Sequence, residues 1–159
     1  MLLRQLVNRR EFLVAAPLTL AAVTHGVSAH GRSKADVLLA RLQKLRPQIR
    51  AVTSYALDRR IETVIAVTPA TLLTFPGVHV RRHADAATID RCIRSLSAGA
   101  PLPSAELFDA RWGLIFLGDR DAELFAAFAD RFASHGQLAE QRVEFGSPMN
   151  VMRILKSVT

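Results

Sequence analysis

The sequence predicts an α+β domain: N-terminal helices, then a mostly antiparallel sheet of about five strands with two further helices packed on it. Three patterns point there. Apolar residues recur at helical spacing early in the domain. Runs of β-branched and apolar residues bounded by Pro and Gly follow. The elements come in the order α, α, β, β, α, β, α, β, β rather than as a strict strand–helix repeat. Setting aside residues 1–29 leaves 130 of the 159 residues, a single domain over 30–159 with interior enough for a core.

Residues 1–29 read as a cleavable export signal. Arg4, Arg9 and Arg10 form a cationic start, held on the cytoplasmic side by anionic lipid and membrane potential. An apolar run follows from Phe12 to Val23, then a short polar segment, Thr24-His25-Gly26, and the small residues Val27-Ser28-Ala29 that a signal peptidase accepts. The apolar run is about a dozen residues, short of the roughly 17–25 that span a bilayer, and Pro17 interrupts it, so no permanent membrane anchor is expected. Arg9, Arg10, Phe12 and Leu13 resemble the twin-arginine (Tat) signal, whose pattern is Ser/Thr-Arg-Arg-x-Phe-Leu-Lys; Asn8 and Val14 depart from it and leave Sec export open. The resemblance covers 1–29 alone. It implies a periplasmic or secreted protein, the Tat translocase and signal peptidase as transient partners, and a route for folded cargo that often carries a cofactor or a co-exported partner.

In the domain, Ser33 is placed to cap a helix, and Leu38, Leu42, Leu45, Ile49, Val52 and Ala56 recur at three and four. Pro47 interrupts the series, which predicts helices over 34–46 and 48–57. Residues 61–67 are β-branched and end at Thr68-Pro69, as a strand does; 71–75 is a turn of helix or a loop; 77–81 alternates like a second strand. Asp85 opens a helix through Ile89, Ile93 and Leu96, and Pro101 and Pro103 give 99–106 the composition of a linker. The apolar run 111–117 predicts a central strand. Gly118-Asp119 then starts a helix with Leu124, Phe125, Phe128 and Phe132 on one side, stopped at His135-Gly136. Residues 141–145 and 151–155 read as a closing hairpin.

Charge and cysteine usage exclude more than they assign. The signal holds three of the 21 basic and one of the 14 acidic residues, so the domain keeps 18 against 13, a net +5. The arginines are spread among acids, and the aromatics are mostly Phe within apolar runs, which is not a nucleic-acid stripe. A general attraction to acidic surfaces or lipid headgroups is compatible with the charge. The lone Cys92, beside Ile89, Ile93 and Leu96, excludes an intramolecular disulfide and reads as a small buried apolar residue.

Few polar residues suggest chemistry. Cleavage between Ala29 and His30 would expose an amine and imidazole on one residue, which resembles the histidine-brace copper proteins, including lytic polysaccharide monooxygenases and small periplasmic copper carriers. Those families are usually β-sandwiches, which the helical stretch after Ser33 does not suit. His79 and His83 stand four apart on one face, with Asp85 or His135 as a third ligand for copper or zinc, although Arg81-Arg82 between them repel a cation and Asp85 suits a helix cap. Asp119 follows a buried strand, where a catalytic acid or an N-cap can sit. Trp112 is placed for a sugar or aromatic ligand or for the core. No phosphate loop, nucleophile elbow or Cys/His ligand spacing occurs. The favoured expectation is a non-catalytic exported domain, with no cofactor of its own, that binds a partner protein or small ligand in a cleft between the sheet and the 68–77 loop. The alternative is a small periplasmic enzyme or metal carrier using His30, His79, His83 or Asp119.

Overall fold

A computed structural model of the chain describes residues 33–58, 60–101 and 108–158. The expected export signal, with Arg9, Arg10, Phe12 and Leu13, and the expected cleavage pair Ala29 and His30 lie outside the described residues.

The fold is α+β. Helix α1 (Lys34–Leu45) leads through a single 3-10 turn to strand β1 (Ala51–Leu57). A short helix α2 (Pro69–Leu72) precedes β2 (Val78–His83), and α3 (Ala86–Ser95) precedes β3 (Ala98–Pro101). Then come β4 (Trp112–Leu117), β5 (Glu123–Ala129), β6 (His135–Leu138), β7 (Gln141–Phe145) and the closing helix α4 (Pro148–Val158). The strands form one sheet in the order β2-β1-β4-β5-β6-β7-β3, every pair antiparallel. Seven strands thus stand where about five were expected.

Local chemistry sets the helix starts. Ser33 and Asp36 form a capping box on α1, each side chain accepting the other's backbone N–H. Asp85 caps α3 by accepting from the Thr88 N–H at 2.7 Å. Pro148 occupies the first position of α4, where its missing N–H costs nothing.

One face of the sheet is covered by three helices. Val52 and Ala56 of β1, Leu114 and Phe116 of β4, and Phe125, Ala127 and Ala129 of β5 meet Leu42 of α1, Ile89 and Cys92 of α3, and Val151 and Leu155 of α4. Ser54, inside this face, donates to the Val158 carbonyl at 2.7 Å, and His83 Nε2 donates to the same oxygen at 2.7 Å. The end of α4 is thereby pinned to β1 and β2. The other face carries Leu57, Ile115, Ala126 and Phe128, covered by Val67 and Leu72 of the 58–77 segment and by Phe108 and Ala110.

Five expectations are corrected here, three of them through one degeneracy. A spacing of four satisfies both the helical period and the strand period of two. Residues 48–57, expected as a second N-terminal helix, contain β1: Val52 and Ala56 share a face either way, and two strand partners claim the backbone. Residues 119–132, expected as a helix, contain β5, in which Phe125 and Phe128 face opposite sides and Phe132 is exposed. Residues 151–155, expected as a strand, lie in α4, where Val151, Met152, Leu155 and Val158 are buried at helical spacing. Residues 61–67 are not a strand: no described strand pairs with them, and the Ile61 carbonyl and Val67 N–H are bonded instead by the side chains of Arg111 and Asp109. The expected linker starts as β3, paired with β7; residues 102–107 lie outside the described ones.

Candidate functional site

The 58–77 segment is held over the sheet by a buried arginine. Arg111, 3 % exposed, donates to Asp109 at 2.7 Å, to the Ile61 carbonyl at 2.7 Å and to Thr63 Oγ1 at 3.0 Å. Asp109 accepts from the Val67 N–H at 2.8 Å, and the Ala110 N–H donates to the Val67 carbonyl at 2.7 Å. A planar, always charged fork satisfied on several sides is a strong clamp. Directly after it, Thr68 caps α2 by accepting from the Thr71 N–H, and Pro69 opens the helix.

This anchoring creates a cleft of about 330 Å³ between the segment and the open part of the sheet. Pro69, Ala70 and Leu73 form one wall; Ile115, Ala126 and Phe128 form an apolar floor; Arg41, Glu123, Gln137 and Glu140 supply polar groups. The position is the one expected, between the sheet and residues 68–77. A second, wider cleft of about 650 Å³ lies between α1 and the β6–β7 turn, lined by Lys34, Val37, Leu38 and Arg41 on α1 and by Ala139, Glu140 and Gln141. The α1 residues sit at i, i+3, i+4 and i+7, one stripe of the helix. Arg41, Ala139 and Glu140 line both clefts.

The shared turn is conformationally unusual. Ala139 has φ of 49°, a left-handed conformation that costs a residue with a Cβ roughly 1–2 kcal/mol. Its N–H donates to the Ala126 carbonyl at 2.8 Å, and its carbonyl accepts from Gln137 Nε2 at 2.7 Å. Gly136 on the same strand admits no side chain, since a Cβ there would stand 2.2 Å from the Phe145 ring and 2.3 Å from the Phe128 carbonyl. β6 therefore lies close against both neighbours, and strain at its turn borders both clefts.

The residues singled out in the sequence are not gathered at these clefts. Trp112 is buried in β4 on the helix-covered face, where its indole N–H has no hydrogen-bond partner among the described residues. Asp119 begins a three-residue 3-10 turn in the tight β4–β5 connection, where it makes no cap hydrogen bond and is exposed and paired with Arg50 at 3.0 Å. Its neighbour Asp121 pairs with Arg82 at 2.6 Å. His79 is exposed on β2, and His83 is engaged at the end of α4. Four strand residues separate their backbones by about 13 Å. Asp85 is occupied as a cap, and His135 faces Asp130 at 3.3 Å. Among the described residues no group of three His, Cys, Asp or Glu side chains converges. Burial pushes the Cys92 thiol up to about 11, so it stays protonated near neutral pH.

No family model, curated protein or solved structure matches this chain. The clefts rest on Arg111, Arg41 and Ala139, none of which stood out as a ligand-site residue in the sequence. Arg111 had one readable sign: a charge placed directly before the most apolar run of the domain.

Proposed function

We propose that the chain is an exported, non-catalytic binding protein whose domain takes a small molecule with an apolar body and a polar end. The cleft under residues 68–77 carries this reading. Its volume and its apolar floor with a few polar groups at the margin are those of a small-molecule site. Arg41 would meet an acidic end, and Gln137 a carbonyl or hydroxyl. Export rests on Arg9, Arg10, Phe12 and Leu13 followed by the apolar run, and places the action in the periplasm or outside the cell.

The test combines a filled cleft with ligand recovery. Ala70 is exposed on the wall, so Ala70→Trp should occupy the space without disturbing the core. Mass spectrometry of extracts from protein purified from the periplasm should show a bound small molecule in the wild type and none in the variant, at equal melting temperature. Equal recovery from both forms would remove the cleft from consideration. Replacing Arg9-Arg10 by Lys-Lys should leave precursor in the cytoplasm, and normal export of that variant would mean the Sec route.

A further inference from the structure

We propose that the groove between α3 and α4 binds a phosphate group through Arg91, Arg94 and Arg153. The groove encloses about 400 Å³ and shares no lining residue with the two clefts. Arg91, Arg94 and Ser95 of α3 form one wall, at i, i+3 and i+4. Asn150, Arg153, Ile154 and Ser157 of α4 form the other, at i, i+3, i+4 and i+7. Helical spacing on each element therefore delivers one stripe, and packing of α3 on α4 turns the two stripes toward a common space. Three arginines, two serines and an asparagine line the same groove, and no carboxylate does.

Like charges gathered in one groove repel, so a natural surface usually intersperses acids. Here the nearby acids have their main partners elsewhere, although Arg91 also acts electrostatically on Asp85 and Arg94 on Asp90. Asp90, on α3 itself, pairs with Arg46, and Asp85 is held by the Thr88 N–H at the helix start. None of the three arginines makes an ion pair among the described residues; Arg91 donates to Thr88 Oγ1 at 2.9 Å and Arg153 to Asn150 Oδ1 at 3.3 Å. Among the other described arginines, Arg50 pairs with Asp119, Arg82 with Asp121 and Arg111 with Asp109, whereas Arg41, Arg81, Arg120, Arg131 and Arg142 form no ion pair with a described residue. Arg91, Arg94 and Arg153 are three arginines without an ion pair among the described residues that line one groove together. Guanidinium forks fit the oxygens of a phosphate two at a time, and the Asn150 side-chain amide can supply a further donor, while the Ser95 and Ser157 hydroxyls already donate to the Cys92 and Ile154 carbonyls. Ile154 adds an apolar contact for whatever the phosphate is attached to.

The phosphate can belong to a soluble molecule or to a lipid headgroup, and two probes separate these sources. Calorimetric titration of the wild type with inorganic pyrophosphate should show saturable binding weakened at least tenfold by Arg91→Gln/Arg94→Gln/Arg153→Gln. Flotation with vesicles of phosphatidylglycerol and phosphatidylcholine should show capture lost in the same variant if a headgroup is the ligand, and no capture if the source is soluble. The three side chains are exposed, so the variant's melting temperature should stay within a degree or two of the wild type. The control Lys44→Gln/Arg81→Gln/Arg131→Gln removes the same charge at residues that line neither the groove nor the two clefts and should bind both probes as the wild type does. Binding of neither probe by the wild type overturns the assignment. So does equal weakening by the control, which would make the effect one of overall charge.

Discussion

The two faces of the sheet are built in opposite ways. Under the helices, Phe116 is fully buried and meets Phe125 edge-on with ring centroids 6.3 Å apart, within a layer filled by Leu42, Ile89, Val151 and Leu155. Under the 58–77 segment, covering is achieved by backbone hydrogen bonds to Arg111 and Asp109 and by few apolar side chains, while Val64 and Ile65 project outward. The first face holds through packed area, the second through a polar clamp. Packed area is distributed and has no single point of failure short of a cavity, whereas a clamp fails at one residue. A clamped cover also leaves gaps, and the cleft is one of them.

The largest test of this contrast is Phe116→Ala, expected to cost about 3–5 kcal/mol of global stability, read as a shifted denaturation midpoint. A loss under 1 kcal/mol would mean the helix-covered layer is not the principal core. Arg111→Met should cost less, about 2 kcal/mol, because Asp109 is about a third exposed and regains water. Its effect should be local: amide exchange should accelerate across residues 61–67 and remain slow in β4 and β5. Uniform acceleration through the sheet would show that both faces depend on the clamp.

A pH titration sharpens the comparison on the helix side. The backbone N–H of Thr88 holds the Asp85 carboxyl below its usual range, and hydrogen bonding from Arg46 does the same for Asp90. Carboxylates depressed in the folded state add stability that is full above roughly pH 4 and lost as pH falls further. Asp85→Asn and Asp90→Asn should therefore flatten the acid limb of the stability curve while changing little at pH 7 beyond the loss of the cap or ion pair. An unaltered acid limb would show that neither contact persists in solution. The smallest effect is expected at the cleft turn, where Ala139→Gly should gain about 0.5 kcal/mol as relief of left-handed strain outweighs added chain entropy. A net loss would mean the Ala139 methyl contributes to the cleft wall more than its conformation costs.

Helices with chemical punctuation were legible. Ser33 with Asp36, and Asp85 with Thr88, mark starts through contacts made within three residues. The run around Leu114 to Phe116 was legible as a central strand because it is apolar on both sides, and both faces of the sheet are in fact covered there. β5 was not legible. Ala126, Ala127 and Ala129 favour a helix locally, and the spacing of Leu124, Phe128 and Phe132 suits a helix as well as a strand. Cross-strand partners Leu114 and Leu138 on either side of Ala127 settle it instead. The cleft was legible in position, through the Pro-bounded segment 68–77, but its clamp was not, because Arg111 is separated by about fifty residues from the carbonyl and hydroxyl it holds.

By itself the sequence determined the α+β class, the starts of α1 and α3 and the central apolar strand, all of which depend on residues within a few positions of one another. Tertiary structure alone decided the seven-strand order, the strand identity of residues 51–57 and 123–129, the clamp at Arg111 and the meeting of three arginines between α3 and α4. Those features depend on which distant segment supplies a hydrogen-bond partner or a packing surface, and a period of four along the chain carries no information about that.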